Sequence, residues 1–289
     1  MNNPSGMVHA QYHGNHPKRG KVFGVPVDLV PDAVSLVGSV ARAAEAREGA
    51  VISYLTADTL VKAKRQPSFR NLLGQCAICY ADGMGASLAA SLILHQHVKK
   101  VTANDCYLDL CREFARKGLV VAFVGGEEGV AQAAAAYVRQ NTNLPVAFCS
   151  SGYFTHFQEE GILAKLARAD PHVVLMAMGQ PRQEYYAFRW HHAMPGTLFY
   201  CVGGLFDVMT GRVRTPPLFL RRAGFEWVWR LLQSPRRLWR RYLVGLPVLA
   251  VCVATEVART NLRLARSKVG KTDRQGPDSF AIGEPMGER

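Results

Sequence analysis

The sequence predicts an α/β fold, a mostly parallel Rossmann-like sheet with flanking helices, followed by a basic helical C-terminal appendage. Three observations predict it. Short apolar runs alternate with longer Ala-rich helical patterns; several of those runs end in glycine or a small polar turn; and near Arg212 the composition switches to interleaved arginine and large apolar residues.

Taken in order, residues 1–22 are polar and rich in Asn, His, Gly and Pro and read as a flexible arm. Residues 23–213 hold the apolar runs VISYL (51–55), AICYA (77–81), VVAFVGG (120–126), VAFCS (146–150), VVLMAMG (173–179) and LFYCVGG (198–204). Each is short, rich in Val, Ile, Leu or Phe and bounded by turn residues, which is how a strand covered on both faces reads. Residues 214–266 form the appendage. Between Arg214 and Arg241 it carries a single acidic residue, Glu226, and places Trp227, Trp229 and Trp239 among arginines. Such a face suits a membrane surface, with aromatic rings at headgroup depth and arginines meeting phosphate. The next stretch, LVGLPVLAVCVATEVA, is interrupted by Gly245 and Pro247 and carries Glu256. It is therefore expected to lie on a membrane rather than to supply the ~20 uninterrupted residues of a spanning helix. Residues 267–289 read as a disordered tail.

With 48% hydrophobic residues, a chain of 289 residues buries a full-sized core, which excludes disorder over most of its length. The net charge of +13 favours encounter with nucleic acid, anionic lipid or phosphorylated substrates without choosing among them. The N-terminal segment lacks the apolar stretch of a signal peptide, so the chain is expected on the cytoplasmic side, with its seven cysteines reduced. Cys76 and Cys79 have metal-like spacing but no second pair comes after them, and His95/His97 and His191/His192 lack a completing ligand set. No metal site or cofactor is expected.

Four strand-to-helix turns carry candidate chemistry. At Asp82-Gly83-Met84-Gly85 a carboxylate stands at the mouth of the sheet, where it could act as a general base or simply cap the adjoining helix. At Val124-Gly125-Gly126 bare amides could cradle a diphosphate, or the glycines could serve a tight turn of positive φ. Gly179-Gln180-Pro181-Arg182-Gln183-Glu184 offers phosphate-binding and hydroxyl-accepting groups, or a Pro-initiated helix with a polar first turn. At Val202-Gly203-Gly204-Leu205-Phe206-Asp207 the glycines permit close backbone approach, and Asp207 could bind a sugar or ribose hydroxyl or cap the segment after it.

Together and in this order these stretches, with Thr56, Gly152-Tyr153-Phe154, Gly224-Phe225-Glu226-Trp227 and Arg240-Arg241-Tyr242-Leu243, resemble the WecG/TagA/CpsF family, glycosyltransferase family 26, over nearly all of residues 23–250. The resemblance implies inverting transfer of a sugar (N-acetylmannosamine, its uronic acid, or glucose) from a UDP donor to a polyprenyl-diphosphate-linked saccharide in bacterial surface or exopolysaccharide synthesis. It implies Asp82 as the base, Thr56 in the same pocket, Gln183 against substrate, and an appendage that docks on the anionic inner face of the cytoplasmic membrane; Asp58 is also expected at the substrate. The remaining substrate contacts are expected from Gly83, Gly85, Gly125, Gly126, Gln180, Arg182, Gly203 and Asp207. No Asp-x-Asp pair is present to hold a metal against the departing diphosphate. Arginines such as Arg214, Arg221 and Arg222 are expected to stabilise it, giving a metal-independent reaction. The sequence departs from the family pattern at Asp58, Ser91 and Thr215-Pro216, which leaves the donor sugar open. Two other readings remain: a basic nucleic-acid-binding protein, for which no binding motif is present, and a dinucleotide-dependent enzyme, for which the third fingerprint glycine is missing. Nucleic acid is not expected as a partner, and self-association is left open.

Overall fold

The computed structural model describes residues 17–217, 219–220 and 224–272. Among them eight strands form one sheet: β1 (Arg19–Val22), β2 (Val25–Asp28), β3 (Ala50–Leu55), β4 (Ile78–Ala81), β5 (Val121–Gly125), β6 (Val146–Ser150), β7 (Val173–Ala177) and β8 (Leu198–Cys201). Their order is β1-β2-β4-β3-β8-β7-β5-β6; β1 and β2 pair antiparallel and every other pair is parallel. The helices of the core are α1 (Ala33–Glu45), α2 (Ala57–Arg65), α3 (Pro67–Gly74), α4 (Met84–Leu94), α5 (Ala103–Arg116), α6 (Val130–Thr142), α7 (His156–Arg168), α8 (Arg182–Ala193) and α9 (Leu205–Met209). The appendage supplies α10 (Glu226–Gln233), α11 (Pro235–Trp239), a π-helical turn at Arg240–Val244, and α12 (Gly245–Thr272).

Strand alternation explains the layering. Ile52, Ile78, Phe123, Leu175 and Tyr200 point to one face and pack against α1, α5 and α6, whereas Val51, Cys79, Val124, Met176 and Phe199 point to the other, against α2, α4 and α8. The six strands read from sequence are all present, and the α/β class stands.

The β1–β2 hairpin falls partly in the segment read as a flexible arm, so the ordered fold starts no later than Arg19 rather than after residue 22. Its anchor is ionic. The Arg19 guanidinium grips the buried Asp28 carboxylate at 2.7 and 2.8 Å and donates to the Cys76 and Ala77 carbonyls, while Asp28 accepts from the Cys79 amide at 2.6 Å. A polar, Gly-rich sequence gave little apolar signal for this strand, because only Val22 at its end is buried in the core and the charge pair anchors the rest.

The appendage also departs from expectation. Pro247 falls in the first turn of α12, directly behind the π turn, where a missing N–H is tolerated, so the apolar stretch is not broken. Tyr242–Asn261, 20 residues, is long and apolar enough to cross a membrane by length and composition. The helix continues to Thr272, past the point where the tail was expected. Leu249 and Val253 bury one side of α12 in the core cluster that includes Ala86, Ala89 and Ala90 of α4, while Val251 is exposed.

Candidate active site

All the candidate turns lie at the carboxyl ends of the parallel strands, the edge at which open α/β sheets bind ligands. Two connected hollows run along it. The first surrounds Asp82: one cavity of about 110 Å³ includes Thr56, Asp58, Gly83, Gly85 and Arg230, and an adjoining one of about 160 Å³ shares Thr56, Asp82 and Arg230 and reaches Asp207. The second, about 500 Å³, is bordered by Gly126, Gly179, Arg182, Gly203, Asp207 and Arg212. Asp58 and Asp207 each border both the larger hollow and a cavity beside Asp82, so the whole forms one cleft.

Asp82 extends β4 by one residue, its amide donating to the Leu55 carbonyl at 2.8 Å. It does not cap α4: the cap residue is Gly83, at φ +89, and no side chain bonds to the helix end. That removes the capping alternative and leaves the carboxyl half-buried in the cavity. Burial pushes its pKa above the ordinary aspartate range; the Arg230 charge, a hydrogen bond from Thr102 and the Lys100 charge oppose this, and Glu226 adds to it. Such a carboxylate is a stronger base than a solvated one.

Thr56 caps α2 through a reciprocal pair with Thr59, its Oγ1 accepting from the Thr59 amide at 3.2 Å. Asp58, in the first turn, is ion-paired with Lys62 at 2.8 Å. Gly85 lets α4 pass α2 closely, since a β-carbon there would stand 3.0 Å from that of Ala57.

The glycine turns serve packing more than anion binding. A β-carbon on Gly125 would lie 2.3 Å from the Ala177 carbonyl oxygen and one on Gly126 2.6 Å from Val130. Their amides are also in use: Gly126 donates to Ala177 at 3.0 Å, and Gly203 donates to the Gln183 Oε1 at 3.0 Å. Of the two alternatives at Val124-Gly125-Gly126, the Gly126 amide fits the tight turn rather than a cradle of bare amides, and the Gly203 amide is likewise engaged within the fold. Gln183 differs from expectation too. It is fully buried, with its Nε2 on Glu184, so it shapes the cleft by holding Gly203 rather than by touching substrate. Gln180 borders the cleft, but its Nε2 donates to the Tyr54 carbonyl and to Glu184, and its Oε1 accepts from Thr59.

Cationic side chains stand on the rim of the larger hollow, Lys62, Arg182 and Arg212 among them. Arg182 faces Tyr153, Phe154 and Tyr186, with its guanidinium carbon 5.3–5.8 Å from their ring centres, and its buried Nε has no hydrogen-bond partner. Arg212 is paired with the exposed Glu127 at 2.8 Å. Arg214 is exposed, and its backbone is tied to Gln233 and Trp229. Arg221 and Arg222 lie outside the described residues.

The arginine that the fold does bring to Asp82 is Arg230, on α10, which sequence reasoning passed over. Its signal was available: it stands one helical turn after Glu226, and Glu226 is ion-paired with Lys100 of the core. Sequence spacing cannot show that this pair fastens the appendage over the end of β4. The family model for the glycosyl transferase WecG/TagA/CpsF family matches residues 20–263, which take in the whole cleft and most of α12.

Proposed function

The chain belongs to the WecG/TagA/CpsF family of glycosyltransferases, and from that premise we propose that it moves a sugar from a UDP donor to a polyprenyl-diphosphate-linked saccharide, with inversion and without a metal. The observation that carries the reading is the half-buried Asp82 carboxyl, which does not cap α4 and stands in the hollow adjoining the larger one, with Arg230 beside it. In the reaction Asp82 takes the proton of an acceptor hydroxyl as that oxygen bonds to the anomeric carbon; the bond from that carbon to the UDP oxygen breaks on the opposite face, and UDP leaves with its electron pair. Thr56 borders the acceptor side. The larger hollow takes the donor, and Arg182, Arg212 and Lys62 on its rim, with Arg230 from the appendage, offset the charge that develops on the diphosphate. On this reading the protein works at the cytoplasmic face of the inner membrane, with α12 and the arginines of the appendage against anionic lipid. Support for this comes from the exposed apolar side of α12 and from the net charge of +13.

The test is UDP release from a panel of UDP-sugars in EDTA, with and without a polyprenyl-diphosphate-sugar acceptor in vesicles, for wild type and Asp82→Asn. Acceptor-dependent release that survives chelation and collapses in the variant is the expected result. Release that needs a divalent ion, or that Asp82→Asn leaves intact, refutes the proposed mechanism.

A further inference from the structure

Behind the cleft lies a polar cluster that the reaction scheme does not use. Glu184, the third residue of α8, is fully buried. Its Oε1 accepts three hydrogen bonds: from Ser53 Oγ at 2.7 Å, from Gln180 Nε2 at 2.9 Å and from Gln183 Nε2 at 2.9 Å. Its Oε2 is buried with no hydrogen-bond partner, and among the described residues no cation pairs with the carboxyl.

The two glutamines carry the influence of that one carboxyl outward. Gln180 donates to the Tyr54 carbonyl at 2.8 Å, at the end of β3, and accepts from Thr59, the partner of Thr56 in the α2 cap. Gln183 accepts from the Gly203 amide at the end of β8. Tyr54 and Gly203 both border the larger hollow and lie against each other, since a β-carbon on Gly203 would reach within 2.2 Å of the Tyr54 hydroxyl. A single side chain therefore links β3 and β8 beyond Ile52 and Tyr200, the last residues that pair them, where they bound the cleft.

We propose that Glu184, held as a neutral carboxylic acid, is the positioning residue of the donor pocket: it orients Gln180 and Gln183, and through them the Tyr54 and Gly203 backbone that shapes the larger hollow. The inference rests on the reading of that hollow as the donor site. An ionised carboxylate with a naked, buried oxygen and no counter-charge is far costlier than the protonated acid, which mainly forgoes one hydrogen bond. Burial also drives the proton affinity of this group upward, against the pull of the amide and hydroxyl donors. The neighbouring Cys79 and Cys201 thiols are buried and offer no positive charge.

Neutrality makes a sharp demand. Glutamine has the shape of a protonated glutamic acid, keeps the oxygen that accepts the three bonds and places an NH₂ where the OH stood. Glu184→Gln should therefore rescue what Glu184→Ala loses. In the full-length protein, Glu184→Ala is expected to raise the KM for the UDP-sugar by roughly tenfold or more and to weaken UDP binding by a similar factor, with the KM for the acceptor changed less than about twofold. Glu184→Gln is expected to restore donor KM and UDP affinity to within about threefold of wild type, and to abolish an infrared carboxylic C=O band that wild type shows at neutral pH. Circular dichroism and thermal melting establish that each variant is folded; if Glu184→Ala is not, the glutamine variant and the infrared band decide. A Glu184→Gln protein as impaired as the alanine variant, or a wild type without the band, overturns the neutral acid, and a folded Glu184→Ala protein with unchanged donor KM overturns the positioning role. Failure of wild type itself to bind UDP removes the donor reading instead, and is distinguishable because it precedes any comparison of variants.

Discussion

Glu226 and Arg230 stand one turn apart on α10 and press on the Asp82 carboxyl in opposite directions, Arg230 lowering its pKa and Glu226 raising it. Both belong to the appendage, whereas Asp82 belongs to the sheet. The basicity of the core residue is thus set in part by a segment that joins the fold last in the chain.

That opposition fixes the sign of two pH profiles. With Asp82 as the proposed base, catalysis requires it ionised, so activity is expected to rise with pH through its folded pKa, which burial places above the ordinary aspartate range. Arg230→Gln removes the largest opposing charge, and the acid limb of kcat should move to higher pH. Glu226→Gln removes the carboxylate that raises it and frees Lys100, and the limb should move lower. Both limbs moving the same way would show that the appendage does not tune Asp82 by charge.

Asp82→Asn should separate activity from stability. Loss of a general base is expected to lower kcat by about 10²–10⁴-fold. The raised folded pKa means that Asp82 favours the fold while protonated and that this contribution is lost as pH rises through that pKa, so at neutral pH it is a destabilising charge. The asparagine variant should therefore melt higher than wild type at neutral pH, and the gap should close as the pH falls below the folded pKa. Melting curves across that range check both the sign and the trend.

Gly203 is at φ +63 with the Tyr54 hydroxyl where a β-carbon would be. Gly203→Ala should destabilise by more than about 2 kcal/mol in denaturant unfolding, from backbone strain and collision together. In the double variant Tyr54→Phe removes the hydroxyl but leaves the ring carbon at 3.2 Å, so part of the loss should return and part should persist. Full recovery would show that the backbone conformation costs nothing.

Leu249 carries the docking of α12 on the core, being 5% exposed. Leu249→Ala should cost about 2–3 kcal/mol. Val251, 65% exposed on the same helix, should tolerate Val251→Ala within about 0.5 kcal/mol in the absence of lipid. Equal losses at the two positions would contradict the one-sided packing.

The parallel strands and the turn that holds Asp82 were legible because continuous apolar runs ending in Gly or Asp have few other interpretations. Arg19–Val22 was not, since its anchor, Asp28, gives no periodic signal. Pro247 misled because a proline breaks a helix only in its interior, and the sequence does not reveal that a helix restarts two residues before it. Gln183 was placed against substrate by the family resemblance; which side of α8 it faces depends on where β8 runs. Arg230 was missed for a related reason, since an arginine among many arginines is singled out only by what it meets.

The glycines at the strand ends have a longer-term consequence. Gly125, Gly126 and Gly152 meet Ala177, Val130, Met178 and one another so closely that any side chain there would collide, and the Gly126 and Gly152 amides already have partners. Mutation can only subtract from such a floor. Divergence in the molecules that the cleft accepts therefore has to be written on its rim, at Lys62, Arg182, Asp207 and Arg212, where a new side chain meets open space instead of backbone.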